Sequence, residues 1–165
     1  MKIHTEHSVL INRDLDLVFD VTNQMEKWPE LLPPCKDLRI LDVENTDVGP
    51  KVTIEVTFHT GGRLMTWRSK RLVDLKTKSA QSERIAPLGP FKFMKMAWLY
   101  HQVDGGTKLT FIHDFKMKGW LLGYLIGRLY VVPVYISRDA KIELAAIKER
   151  LELSNIEASA YAETD

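Results

Sequence analysis

The alternation of apolar and polar residues through the middle of the chain predicts a series of antiparallel strands. Between residues 52 and 58, four apolar side chains alternate with three polar ones, so one face is buried and the other meets water. Six further segments have strand character, at residues 3–12, 36–46, 63–75, 78–85, 92–103 and 107–117. Asp104-Gly105-Gly106 marks a hairpin turn, because glycine tolerates a positive φ. We therefore predict seven strands.

Helical spacing occurs in two places, after the first strand and at the end of the chain. A short helix capped by Asn12 or Asp14 is predicted to run to about residue 23. A second helical turn is predicted over 23–28 and must end near Leu32, because two prolines follow it. The last helix starts or bends at Pro133, and its apolar positions recur at helical spacing at Ala140, Leu144, Ile147 and Leu151.

These elements predict an α+β fold in which a curved antiparallel sheet closes on one long C-terminal helix. The space between the sheet and the helix is a natural ligand cavity. The length of 165 residues suits one domain, predicted over 1–155 and followed by a flexible tail over 156–165.

Composition narrows the class of protein. Apolar residues make up 45% and charged residues 27%, as in a globular domain, and the net charge of +1 gives no nucleic-acid footprint. The single cysteine, Cys35, excludes an internal disulfide and a cysteine-based metal site, and it fits a reducing, cytoplasmic compartment. No secretory leader is predicted, and no phosphate loop, nucleophile elbow or zinc motif is present in the sequence.

Strand parity predicts which side chains face the cavity, because neighbouring residues of a strand point to opposite faces. The inferred inner face is rich in aromatic residues and methionine: Met65, Trp67, Ser69 and Arg71; Met94, Met96, Trp98 and Tyr100; Leu109, Phe111, His113, Phe115 and Met117. Ser69, Arg71 and His113 are its polar exceptions.

Two interpretations of Arg71 follow from the pattern. A buried guanidinium is costly unless its charge and donors are satisfied. Arg71 is therefore either a core arginine paired with an acid or with carbonyls, or an anchor for an anion or carbonyl group in a pocket. His113 is either a hydrogen-bonded core histidine or a group that exchanges protons near pH ~6.5.

Several motifs resemble the bacterial aromatase/cyclases of type II polyketide synthesis, within the START/polyketide cyclase superfamily. The segment Val21 to Leu31, with its Trp28-Pro29-Glu30-Leu31 end, and Trp67-x-Ser69-x-Arg71 are similar to that family's signatures. Gly89 to Met94, Trp98, Gly105-Gly106-Thr107 and Asp114-Phe115-x-Met117 follow in the same order, so the resemblance runs from about Glu6 to Leu151.

The resemblance implies a helix-grip fold, no cofactor and no metal. It implies an intramolecular aldol cyclisation and dehydration of a poly-β-ketone held on an acyl carrier protein, with ketosynthase subunits as further partners and a homodimer as one assembly. The implied catalytic residues are Arg71, Ser69 and His113. The implied substrate-binding residues are Trp28, Leu32, Cys35, Trp67, Met94, Trp98 and Phe111. Two positions depart from the family pattern: Cys35 stands near a family tyrosine, and Leu32 replaces an aromatic residue.

Residues 119–135 are unusually apolar for such an enzyme. The first expectation is a buried helix start that forms a lid over the pocket. The alternatives are an oligomer interface and a contact with a membrane surface; at 17 residues the segment is shorter than the ~20 that a span requires.

A non-catalytic carrier of lipid or quinone, or a regulatory protein that binds a small hydrophobic ligand, would use the same fold. An Arg71 that faces a pocket without a protein counter-ion favours the enzyme, and an Arg71 in a core salt bridge favours the carriers.

Overall fold

A single seven-stranded antiparallel sheet forms the body of the protein, in the order β1-β7-β6-β5-β4-β3-β2. The computed structural model describes the backbone of residues 1–162 and the side chains of residues 1–153. The strands are β1 (Ile3–Ile11), β2 (Cys35–Asn45), β3 (Pro50–Thr60), β4 (Arg63–Asp74), β5 (Ser79–Ala86), β6 (Phe91–Val103) and β7 (Gly106–Met117). The seven predicted strands are thus confirmed, with ends within about two residues of the expected ones.

Sequential strands pair as hairpins from β2 to β7, and β1 returns to pair with β7. The predicted turn between β6 and β7 contains Gly105 at φ 83°, a left-handed conformation that favours glycine. Burial alternates along β3 as the pattern predicted, so its apolar residues face the core.

Helix α1 (Leu15–Thr22) begins at Asp14, whose carboxylate accepts a hydrogen bond from the Leu17 amide at 2.9 Å. A 3₁₀ turn (Met25–Lys27) and the short helix α2 (Trp28–Leu31) follow. The short helix and the second helical turn predicted after the first strand are therefore both present.

Three helical segments complete the chain: α3 (Trp120–Ile126), a π-helical segment (Gly127–Ile136) and α4 (Ser137–Ala162). Pro133 lies inside the π-helical segment, just before α4 begins. The predicted apolar stripe of α4 is buried against the concave face of the sheet. The tail predicted over 156–165 lies outside the residues whose side chains are described, and 163–165 lie outside the described residues altogether.

The expectation that residues 119–135 are buried is wrong for most of the segment. Trp120 is 82% exposed and Leu129 is 73% exposed. Within this range the buried residues are Gly123 and Gly127, because only glycine fits where the backbone approaches β7 and β1. The lid function is retained by Ile126, Tyr130, Val131 and Tyr135, which line the cavity.

Candidate active site

A cavity of about 450 Å³ lies between the concave face of the sheet and helix α4. Its wall contains eight of the ten predicted site residues: Trp28, Leu32, Trp67, Ser69, Arg71, Met94, Trp98 and His113. The strands β4, β6 and β7 place the last six of these by parity, as the sequence predicted.

Arg71 is 1% exposed, yet its guanidinium is part of the cavity wall. One terminal nitrogen donates to Asn23 Oδ1 at 2.9 Å and the other to Ser82 Oγ at 3.1 Å, and Nε has no hydrogen-bond partner. In the described part of the chain no carboxylate forms an ion pair with it. Burial lowers the pKa of Arg71 to about 10, so the group remains a cation at neutral pH.

Aromatic rings hold this cation in place. The guanidinium carbon lies 4.3 Å from the ring centroid of Trp98 and 5.1 Å from that of Trp28. Trp98 is itself stacked between Trp28, at 5.3 Å, and Phe111, at 4.2 Å. Cation–π attraction therefore offsets part of the cost of burying an unpaired charge.

A hydrogen-bond network from α1 fixes the Arg71 partner Asn23. The Asn23 amide donates to the Phe19 carbonyl at 2.8 Å and to the Tyr100 hydroxyl at 3.2 Å, which leaves Oδ1 free to accept from Arg71. The Tyr100 hydroxyl also bonds the Thr22 hydroxyl at 2.7 Å. Sequence analysis did not assign Asn23 a role, because it lies in a turn where no periodicity shows its direction.

Two further donors lie beside Arg71. Ser69 is 2% exposed, lines the cavity, and its hydroxyl has no hydrogen-bond partner among the described residues. Arg84, opposite Ser69 in the register, donates through Nε to the Pro87 carbonyl at 2.7 Å and lies 4.7 Å from the ring centroid of Trp67. Burial lowers the pKa of Arg84 as well. Sequence analysis overlooked Arg84, although the parity of Ala80, Ser82 and Arg84 in β5 could have identified it.

Two carboxyl groups face the cavity from α4, and sequence analysis missed both. Glu143 and Asp139, one helical turn apart, line the cavity, and the Thr60 hydroxyl donates to Asp139. Burial, with a smaller contribution from the Asp139 charge, raises the pKa of Glu143 to about 8. Glu143 is therefore largely a neutral acid at pH 7.

His113 lines the cavity, but burial lowers its pKa to about 4, with a further contribution from the neighbouring His7. This corrects the expectation of an imidazole titrating near its ordinary value. Its Nδ1 is buried without a hydrogen-bond partner among the described residues. At neutral pH His113 is an uncharged ring.

Cys35 and Phe111 are buried in the core beyond the cavity wall, so neither forms the surface predicted to bind substrate. The Cys35 thiol points toward the Asp37 carbonyl at 3.7 Å, and burial raises its pKa to about 12. It is therefore unsuited to transfer protons at neutral pH. Phe111 contributes indirectly, as the ring on which Trp98 stacks.

Among the described residues, no three metal-binding side chains are close enough to hold an ion. The cavity instead combines a cationic, donor-rich floor on β4 and β5 with an acidic wall on α4. Such a site can stabilise negative charge on oxygen at one side and exchange a proton at the other.

A helix-grip fold with an enclosed, mostly apolar cavity defines a START-like ligand-binding or cyclase domain. The family model "Polyketide cyclase / dehydrase and lipid transport" matches residues 11–130, and the chain belongs to this family. It is 32% identical to a putative polyketide cyclase of Streptomyces cyaneus, over 90% of this chain and 93% of the relative. It is 35% identical to one from Streptomyces halstedii, over 66% and 97%.

The same fold occurs in a solved structure, the Zhui aromatase/cyclase from Streptomyces sp. R1128. The TM-score is 0.78 at 21% identity, and the match covers 92% of this chain and 94% of that one. This likeness confirms the predicted fold.

Proposed function

We propose that this protein is a polyketide aromatase/cyclase that folds a poly-β-ketone in its cavity, joins two of its carbons by an aldol reaction and removes water. The observation that carries the proposal is Arg71, a buried cation in the cavity wall without a carboxylate partner among the described residues. Buried arginines with a purely structural role usually pair with an acid, which cancels their charge. The names of the curated relatives support the same reaction class.

Arg71 stabilises the oxygen charge that develops during the aldol step. Removal of a proton between two carbonyls gives an enolate, and attack on a second carbonyl gives an alkoxide. A fixed cation in a site with little water stabilises both oxyanions strongly. Because Asn23 and Ser82 occupy its terminal nitrogens with neutral acceptors, the charge of Arg71 is not cancelled. Ser69, next to Arg71 on the same face, supplies a hydroxyl to the same oxygen.

Glu143 exchanges the protons. As a carboxylate it accepts the carbon-bound proton that enolate formation releases, and as a carboxylic acid it returns that proton to the alkoxide. In dehydration the roles repeat: a second carbon-bound proton leaves to the base, and the hydroxyl leaves as water after protonation. A pKa near 8 keeps both forms accessible around neutral pH. Neutral His113 contributes a hydrogen-bond acceptor for a substrate hydroxyl or water.

Trp28, Trp67, Met94 and Trp98 hold the folded chain. Flat indole rings and a flexible thioether suit a substrate that becomes a planar aromatic ring. Holding the two reacting carbons in contact supplies regiochemistry and part of the rate. The proposed steps form one carbon–carbon bond, break one carbon–oxygen bond and transfer protons with no net oxidation or reduction, so they need no redox cofactor. We further infer that the substrate arrives on an acyl carrier protein in the cytoplasm, together with the ketosynthase that made it.

Product analysis tests the proposal. The protein would be combined with a minimal ketosynthase and carrier protein, and the products separated by mass spectrometry. Wild type should direct the chain to one aromatic product, and Arg71→Met should leave the mixture of spontaneous products. Arg39→Met, which removes an exposed arginine of β2, is the matched control and should behave as wild type. If adding the wild-type protein leaves the product mixture unchanged, the proposed cyclase function is wrong.

A second function, transport of a hydrophobic ligand, is favoured by the exposed apolar segment beside the cavity. In that case native mass spectrometry should find lipid or quinone bound to the purified protein. Arg71→Met would then leave the bound ligand in place.

A further inference from the structure

An exposed apolar surface covers one side of α3 and the π-helical segment. It consists of Trp120, Leu121, Leu122, Leu125, Ile126, Leu129 and Tyr130, which are 45–82% exposed. An apolar patch of this kind on a globular domain usually marks a contact site.

The packing of the segment is the reverse of that in an ordinary amphipathic helix. Its small residues face the protein: a side chain at Gly127 would overlap Ile3 and Met117, and one at Gly123 would overlap the Lys118 carbonyl. Seven of its large residues point to solvent, whereas Tyr124, Val131 and Val132 pack against the core. The segment is therefore anchored by close backbone packing, and the apolar surface is presented outward by the fold itself.

The charges carried by this segment and its nearest neighbours in the sequence are all positive. Residues 115–138 contain Lys116, Lys118, Arg128 and Arg138 and no aspartate or glutamate, whereas the whole chain is almost neutral at +1. A two-fold contact between copies would place the Arg128 residues of both chains in one apolar interface without a carboxylate from this segment. An anionic lipid surface complements both features, because leucine and tryptophan enter the interface while arginine and lysine meet phosphate groups.

By length and composition, one helical stretch of the described chain, Trp120–Leu153, is apolar enough to cross a membrane. Two features favour a position on the surface instead. Ala140, Leu144 and Ile147 of α4 are buried in the domain core, so that half cannot leave without opening the fold. Arg128 interrupts the other half with a charge.

The apolar surface also borders the cavity. Ile126 and Tyr130 belong to both, and Val131 beside them lines the cavity. We propose that α3 and the π-helical segment bind the surface of an anionic bilayer, with the cavity mouth facing the membrane. An apolar ligand or product then passes between the cavity and the lipid without crossing water. This goes beyond the proposed cyclisation, which does not require a membrane.

Vesicle sedimentation tests the proposal with two lipid compositions, phosphatidylcholine alone and phosphatidylcholine with phosphatidylglycerol. Wild type should bind the anionic vesicles and be released by high salt. The double variant Leu122→Glu, Leu129→Glu should bind about a hundredfold more weakly or not at all, since both side chains are exposed and their loss leaves the core intact. Leu75→Glu, an equally apolar side chain that is 52% exposed in the turn after β4, is the matched control and should bind as wild type.

Arg128→Gln should weaken binding to anionic vesicles, and the binding that remains should depend less on salt concentration. Wild-type protein that stays in solution with both compositions would overturn the proposal. A second contrary result would come from sedimentation velocity: wild type forms a dimer, the double variant is a monomer, and neither binds vesicles. The apolar surface would then be an interface between two copies of the chain. Binding to a carrier protein that depends on the same two leucines, without vesicle binding, would also overturn it. Because no polyketide is needed, these outcomes are independent of the cyclase assay.

Discussion

Replacing Glu143 by glutamine should stabilise the protein at alkaline pH and leave its stability unchanged in acid. The carboxyl has an ordinary pKa of 4.5 when unfolded and a pKa of about 8 in the cavity. Between these values the folded state binds a proton that the unfolded state has lost. Stability therefore falls as pH rises from 4.5 to 8, by about 1.4 kcal/mol for each pH unit.

The full shift corresponds to a loss of about 5 kcal/mol above pH 8. Glu143 is only partly buried, so solvent screens part of this effect and we expect about 2 to 5 kcal/mol. Glutamine has nearly the same shape and never ionises. Glu143→Gln should therefore lie within about 1 kcal/mol of wild type at pH 5 and exceed it by about 2 to 5 kcal/mol at pH 9.

Urea unfolding at pH 5, 7 and 9 measures the difference in free energy of unfolding between Glu143→Gln and wild type. Other groups titrate in both proteins, so their contributions largely cancel in this difference. Glu149→Gln, an exposed position of the same helix, is the matched control and should differ from wild type by the same small amount at each pH. A wild-type-to-Glu143→Gln difference that stays constant from pH 5 to 9 would refute the reasoning. Glu143 would then be ionised in the folded protein and unable to act as the acid.

Three further substitutions test Arg71, the aromatic stack beside it and the glycine packing of the π-helical segment. Arg71→Met should cost about a hundredfold or more in kcat/KM while the free energy of unfolding changes by no more than ~1 kcal/mol, because removal of an unpaired buried charge offsets lost hydrogen bonds. Trp98→Ala removes the ring between Trp28 and Phe111 and should lower unfolding stability by about 3–5 kcal/mol in the same urea assay; an unchanged midpoint would contradict the stacking. Gly127→Leu should lower the thermal midpoint by several degrees, whereas Gly62→Leu, in open space, tests only backbone strain and should cost less.

Strand parity was sufficient to identify the cavity floor from the sequence. Side chains alternate strictly along a strand, so Ser69 and Arg71 could be assigned to one face without knowledge of the neighbouring strands. The order of the strands and the terminal helix predicted a curved sheet that closes on one helix, and the family resemblance implied the helix-grip fold. The face of the sheet toward which Arg71 points follows from the sequence of its own strand. Whether an acidic side chain lies beside it depends on which distant residues the fold brings close, so the sequence could not predict that.

Asp139 and Glu143 were not predicted to line the cavity, because the inward face of α4 was inferred only from its narrow stripe of apolar residues. Glu143 lies beside Ala140 and Ile147 on the helix surface, so a wider inward-facing stripe would have included it. A carboxylate on a helix is normally assigned to the solvent-exposed face. Glu143 faces inward because the cavity lies next to this part of α4. The exposure of residues 119–135 was missed for the opposite reason. Gly123 and Gly127 make the closest backbone contacts, and only some of the large apolar residues pack against the core.

The chemistry depends on the separation of Arg71 from Glu143. Among the described residues no ion pair joins Arg71 to Glu143, and burial, with a smaller contribution from Asp139, raises the pKa of Glu143 to about 8. If they formed an ion pair, the pKa of Glu143 would fall below its ordinary value and the carboxyl could no longer donate a proton at pH 7. The cation would also be neutralised before any enolate formed. Because the sheet carries Arg71 and α4 carries Glu143, neither group neutralises the other, and in the proposed reaction both are available to a substrate in the cavity.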